Sequence, residues 1–339
     1  MSTLRKNHVL RNLIWILLPI LTAIFCMGIG RMSLSPGEIV SNLAQIIVGG
    51  PDSVDPQIYS VLINVRLPRM ILAGLCGAGL SVSGAAFQSI FSNALATPDT
   101  LGVAAGSSFG AALALLFGAG MIVVQVSALA VGFIAVGLTY MISRQKGGTS
   151  TVMVILSGMV IAALFEAGIS IIKFIADTES QLPAITYWLM GSLASISYSS
   201  LALGVPFILV GLGLIFAMRW KLNVLMLSED EAKTMGINIK VMRVVIALAA
   251  TMITASCVSM CGQVGWVGLL IPHICRMMFG SNNQHIIPAS ISLGAVFLLI
   301  MDTVARSATA AEIPISILTS VIGAPFFIAL LKKTRGSNL

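Results

Sequence analysis

The stretch Gly265-Trp266-Val267-Gly268-Leu269-Leu270-Ile271-Pro272-His273-Ile274-Cys275-Arg276 decides how this chain is read. It is apolar for most of its length, holds a proline inside and ends on a cation. The apolar segment around it, 264–279, is shorter than the roughly 20 residues a membrane-crossing helix needs. Its surroundings are nonetheless those of a membrane protein. Of 339 residues 57% are hydrophobic and 9% charged, and the mean hydropathy is +1.01. No soluble fold hides that much apolar surface, so lipid must be the solvent for most of the chain.

Working outward, apolar segments recur at 12–30, 61–85, 99–117, 121–142, 151–175, 197–218, 240–260, 264–279, 285–303 and 313–331. The third and eighth are short or broken by glycine. The expectation is an all-α polytopic membrane protein of about ten transmembrane helices, one membrane domain over 1–339. The longest polar gaps are 31–60, 176–196 and 219–239. The opening Arg5, Lys6 and Arg11 followed by an apolar run could mark a signal peptide. That run is long and Gly28-Ile29-Gly30 is a poor cleavage site, so it reads as the first membrane helix.

A net charge of +7 invites a nucleic-acid partner, but its distribution argues for topology. With the N-terminus in the cytoplasm, all but Arg31, Arg66, Arg69, Lys173 and Arg306 of the 19 basic residues fall on the cytoplasmic side. This is the positive-inside bias of a plasma-membrane protein. Both termini are then cytoplasmic, and no nucleic acid is implied. Cys257 and Cys261 are one helical turn apart, with no further ligand nearby to complete a metal site. They read as small packing residues, and so does the stripe Gly102, Gly106, Gly110, Ala114 and Gly118, which lets a neighbouring helix come close. His273, alone beside Pro272, reads as structural.

The loop at 219–239 carries a sharper signal. Ser228 followed by Glu231 forms a capping box, Glu229, Asp230 and Glu231 crowd the first turn, and Gly236 suits the left-handed stop. A helix of about two turns is therefore expected outside the membrane, too short to be stable unless something holds it. On the opposite side, Arg66 and Arg69 bracket Leu67-Pro68, and Arg306 follows Asp302. Snorkelling side chains are the bland reading; three arginines on the side normally poor in them also make an anion-receptive patch. Glu166, in the middle of the fifth segment, is an intramembrane carboxylate of the kind that faces a bundle interior or a water-filled cavity. No Gly-x-x-x-x-Gly-Lys-Ser/Thr loop is present, so ATP would have to be bound by another chain.

The opening motif, Arg66-Leu67-Pro68-Arg69, the Asp302…Arg306 spacing, the segment Gly84–Gly102 and the run Gly323-Ala324-Pro325-Phe326-Phe327 together resemble the FecCD-like permeases. These are the membrane subunits of ATP-driven importers for iron chelates and vitamin B12. Gln263 and Trp266 stand where that family usually has proline and phenylalanine, and Ala94 and Thr97 replace its usual proline and acid. The resemblance implies a type II ABC importer permease fold. It implies a second permease copy (identical or a paralogue), two cytoplasmic ATPase subunits that bind ATP and Mg, and an extracytoplasmic substrate-binding protein. It makes Ser228, Glu229, Asp230, Glu231, Ala232, Lys233 and Gly236 an ATPase-coupling helix, and Arg66, Arg69 and Arg306 outward-facing receivers of the binding protein's glutamates. In that family the fifth and tenth helices line a pathway at the dimer axis, so Glu166, which is not a feature of the family, would either tune that pathway or pair with a neighbouring helix; Thr149, Ser150 and Thr151 are candidates for the inner gate. The chain itself would hold no cofactor or metal and catalyse nothing. The expected cargo is a ferric siderophore or another iron chelate; haem, cobalamin and molybdate are the alternatives within the class. An ion-coupled secondary transporter with broken helices is the alternative outside it.

Overall fold

A computed structural model describes residues 2–30, 32–144, 151–226, 231, 238–309 and 311–336. Side chains are described for 13–30, 32–144, 152–226, 231, 238–309 and 311–329. Among the described residues all regular structure is helical, as lipid demands of a chain that must satisfy its backbone internally.

The helices are α1 (Ser2–Gly28), α2 (Pro36–Gly49), α3 (Leu67–Ile90), α4 (Val103–Leu116), α5 (Met121–Ser143), α6 (Thr151–Ile175), α7 (Gln181–Leu189), α8 (Tyr198–Ala217), α9 (Ile239–Cys261), α10 (Val267–Phe279), α11 (Asn283–Ser307) and α12 (Ile315–Gly336). Six helical runs are long and apolar enough to cross a bilayer, and four shorter apolar ones accompany them at Leu13–Gly28, Val103–Leu116, Val267–Phe279 and Ile315–Ala329. These ten coincide with the ten apolar segments of the sequence.

The second run is continuous from Pro56 to Ile90. A π-helical turn at Ser60–Arg66 interrupts it just before Pro68. That widening relieves the clash a proline ring makes with the carbonyl four residues back. α4 and α10 have 14 and 13 residues, only about 20 Å each at 1.5 Å per residue. Irregular backbone therefore reaches into the depth of the bundle at 91–102 and 262–266. Its polar groups are satisfied internally: Thr139 Oγ1 donates to the Leu101 carbonyl at 3.0 Å, and Ser192 N–H to the Cys261 carbonyl at 2.9 Å.

The glycine stripe packs closely at Gly106 and Gly110, while Gly102 and Gly118 lie outside α4, Gly102 against α6 and Gly118 facing open space. A methyl on Gly106 would lie 2.6 Å from Ala135 Cβ, and one on Gly110 2.5 Å from the Ser127 carbonyl oxygen, so α4 and α5 touch nearly backbone to backbone. Cys76 joins Cys257 and Cys261 in the core, with 3.9 Å between the sulfurs of Cys76 and Cys261; all five cysteines are free and buried. The polar gap at 31–60 conceals an element the sequence reading left as loop. α2 starts at a capping box, in which Glu38 N–H donates to Ser35 Oγ at 3.2 Å and Ser35 N–H to Glu38 Oε2 at 2.7 Å.

Candidate functional site

Three places concentrate the functional candidates: the end of the bundle where α3 begins, a cavity at mid-depth, and the loop between α8 and α9.

At the first, Arg66, Arg69 and Arg306 do converge, yet they point inward. The expectation of outward-facing guanidinium groups is corrected by burial: Arg66 and Arg69 are each 5% exposed, and the Arg306 side chain 8%. Arg66 donates to the carbonyls of Met27 and Met32, and Arg306 to that of Cys26, so both hold the turn after α1. Gly30 passes directly over them at φ +152°. A methyl there would sit 2.9 Å from Arg66 Nη2 and 3.1 Å from Arg306 Nη1. Arg69 Nε donates to both oxygens of fully buried Asp302 at 2.8 and 3.0 Å, and its Nη1 to Glu312 Oε1 at 2.9 Å. Arg306 Nε lies 3.8 Å from Asp302 Oδ2.

Sequence reading missed the pairing of Arg69 with Asp302 and Glu312, because nothing local links residues 233 and 243 positions apart. The cluster holds three cations and two carboxylates, a formal +1. Arg306 Nε and Glu312 Oε2 are buried without a hydrogen-bond partner. The arrangement braces α1, α3, α11 and the start of α12 while keeping an unspent positive charge.

The cavity, about 270 Å³, lies among α3, α4, α6, α9, α10 and the turn Pro98–Leu101. Its wall includes Asp99, Glu166, Thr97, Thr254, Gln263 and Trp266, and among the described residues no lysine, arginine or histidine lines it. Glu166 is exposed, on the face of α6 that also exposes Met159. Gln263 spans the wall, its Nε2 donating to Ser108 Oγ of α4 at 2.8 Å. Trp266 enters α10 at φ +70°, a backbone region that bulky residues rarely occupy. Its ring is seated on Gly323 of α12, where a Cβ would lie 2.7 Å from the indole. His273 meets the Phe327 ring edge-on at a centroid distance of 6.3 Å. Among the described residues no cluster of three or more His, Cys, Asp or Glu is placed to hold a metal ion. Thr151 opens α6; Thr149 and Ser150 lie outside the described residues.

In the third place, Ser228, Glu229, Asp230, Ala232, Lys233 and Gly236 also lie outside the described residues. Glu231 is helical and exposed. The chain entering this loop makes one helical turn, Lys221–Val224, with Leu222, Val224 and Leu225 buried.

An all-helical, multi-pass bundle with two half-length helices and a cavity between them defines the class. The sequence pattern of the FecCD transport family matches residues 17–333, and the chain belongs to that family. It is 40% identical over 326 residues to a molybdate import system permease protein of Haemophilus influenzae, covering 95% of each chain. It is 39% identical over 279 residues to a probable iron chelatin transport system permease protein of Helicobacter pylori, covering 81% of this chain and 83% of the other. A metal-chelate type ABC transporter solved in an inward-facing conformation superposes with a TM-score of 0.85 at 39% identity, covering 95% of this chain and 98% of that one. The protein is thus a permease subunit of an ABC importer, and ATP hydrolysis belongs to a separate chain. Family membership sets aside the ion-coupled secondary transporter.

Proposed function

We propose that this chain forms the membrane pathway of a binding-protein-dependent importer for a ferric siderophore or another iron chelate. Two copies, or one copy and a paralogue, would pair through the exposed faces of α6 and α12 and bring their cavities to a common axis. The basic residues around the 219–239 loop and both termini support a cytoplasmic placement of that end, in a bacterial plasma membrane. The Arg66 end is then extracytoplasmic.

The cargo reading is supported by the cavity wall, which presents Asp99 and Glu166 and, among the described residues, no basic side chain. Two like unit charges about 6 Å apart repel by about 3 kcal/mol at an effective dielectric of about 20. A bare oxyanion such as molybdate would meet that repulsion from both carboxylates of each copy. A chelate with no net negative charge would not. The test is accumulation of radiolabelled ferric hydroxamate and of radiolabelled molybdate in cells lacking the chain and in cells with it restored. Restored iron uptake that unlabelled molybdate does not compete supports the reading. Restored molybdate uptake instead overturns it in favour of the oxyanion.

The partner readings follow the same division of ends. The helix at 228–236 would dock the ATPases, with the exposed Glu231 among its contacts. Glu231→Lys should then release the ATPases from detergent-solubilised complexes. The net +1 of the cluster would attract a carboxylate of the binding protein to this end by charge, without a direct contact to the buried Arg306 Nε. Arg306→Gln should weaken capture of the binding protein by the assembled complex, and unaltered capture would refute that role.

A further inference from the structure

α3 and α11 pack closely against one another, and the contact is pinned at three depths. At the extracytoplasmic end the single Nε–H of Arg69 is shared between both carboxylate oxygens of Asp302. At mid-depth a methyl on Gly77 would lie 2.1 Å from the Gly294 carbonyl oxygen, and one on Gly294 would lie 2.2 Å from Ser81 Oγ. At the cytoplasmic end Ser89 Oγ lies 3.2 Å from Asn283 Oδ1, its one hydrogen shared between that oxygen and the Ala85 carbonyl at 2.9 Å. Packing this close with polar ties at both ends leaves the two helices little freedom to slide. They form one strut, and the 25 residues of α11 make it about 37 Å long, enough to reach from one membrane face to the other.

The foot of this strut is held by one side chain from the loop between α8 and α9. Asn223 Oδ1 accepts from the Asn283 backbone N–H at 2.8 Å, and Asn223 Nδ2 donates to Asn282 Oδ1 at 2.8 Å. Asn282 is the N-cap of α11, and its Oδ1 also accepts from Gln284 N–H at 2.9 Å. Asn283 is fully buried, and its amide reaches Met226 Sδ at 3.7 Å. Asn223 thus satisfies a helix-terminal donor that has no acceptor inside the helix. It also grips the residue that caps that helix. Flanking Leu222 and Val224 seat the turn in the core but have no directional hold; the two hydrogen bonds of Asn223 fix its direction.

We infer that Asn223 is a positioning residue for energy coupling. It locks the segment that enters the ATPase-docking helix to the foot of the α3–α11 strut, so that displacement of that segment by nucleotide reaches the extracytoplasmic charge cluster. The inference rests on the docking reading of 228–236, which the Glu231→Lys release assay tests separately.

The experiment uses the full complex with its ATPases in lipid nanodiscs, with pairs of spin labels on cysteines introduced in one chain. The five native cysteines are buried and free. One pair, on exposed Lys221 and Gln284, spans the clamp. The other, on exposed Glu179 and Ala308, reports the outer end of the strut against the outer end of α6. With ATP and vanadate the first distance is expected to stay constant while the second changes. In N223A, with ATPases still bound and hydrolysing, the second change is expected to disappear. N223D keeps the acceptor for Asn283 N–H and should restore most of it. A wild-type change across 221–284, no wild-type change across 179–308, or a change across 179–308 that survives N223A would each overturn the inference. If N223A does not assemble, the two wild-type distances decide alone.

Discussion

The helices at the centre of the bundle and those at its rim obey opposite rules. In the most apolar stretch of Pro56–Ile90, 83% of residues are buried; in that of Val152–Ile175, 28% are. Yet α5, α6 and α8, the exposed set, are more hydrophobic than the runs containing α3, α9 and α11, the buried set. In water the order would be reversed. In lipid the outside is as apolar as any side chain, so no hydrophobic gain comes from burying one. The interior can hold what lipid rejects: Ser83 and Thr254 meet at 2.9 Å, Ser256 donates to the Gly204 carbonyl at 2.8 Å, and Asp302 is wholly enclosed. Close backbone approach and satisfied polar groups hold this fold together, more than greasy contact does.

The contrast breaks first at its most polar point. Asp302→Ala should leave Arg69 and Arg306 buried beside an unfilled acceptor site and cost about 3–5 kcal/mol, read as a large drop in Tm in detergent. The double variant Arg69→Met/Asp302→Leu should cost less than Asp302→Ala. A double variant that is worse would mean the pair does more than neutralise itself.

Next come the glycines. Gly84→Ala would push a methyl to 1.8 Å from the Gly268 carbonyl oxygen and should cost about 1–3 kcal/mol through overpacking. The same change at Gly137 of α5 or Gly213 of α8 meets open space and should stabilise by up to about 1 kcal/mol through helix propensity. Equal effects at the three positions would erase the distinction between centre and rim.

Glu166→Gln sharpens the comparison, because this carboxylate stands on a rim helix and lines the cavity. Its stability effect should stay within about 0.5 kcal/mol, while the transport rate changes. Loss of folding with unchanged transport per assembled complex would make it a packing residue.

The smallest expected effect lies outside the membrane. The Ser35 backbone N–H, and then the Ser35 hydroxyl, hold the Glu38 carboxyl below its ordinary 4.5. A carboxylate depressed in the folded state stabilises above its unfolded value, and the contribution is lost as pH falls through the folded one. Protection of the first-turn amides of α2 against exchange should therefore fall on acidification below about pH 4.5, and Glu38→Gln should abolish that fall.

Much of this was legible in the chain. Ten apolar segments, two of them short, become six long and four shorter apolar helices, since membrane insertion is written in local hydropathy. The glycine stripe of α4 was readable as a packing face for the same reason. What stayed hidden is what distance in sequence hides. Arg69 could be seen to be charged, but its partners 233 and 243 residues away could not. Asn223, Asn282 and Asn283 looked like ordinary loop residues, because asparagine favours turns and caps wherever it occurs. α2 was missed although Ser35 and Glu38 spell a capping box as plainly as Ser228 and Glu231 do.

The two half-length helices have an electrical consequence. Where α4 and α10 stop short, the irregular backbone at 97–102 and 263–266 borders the cavity of about 270 Å³, and water filling that cavity would thin the insulating layer there. A voltage of 100 mV acts on each elementary charge that crosses the full membrane with about 2.3 kcal/mol. Over this shortened path that voltage falls across fewer ångströms, so a charged solute resting beside Glu166 stands in a steeper field than lipid would impose at the same depth.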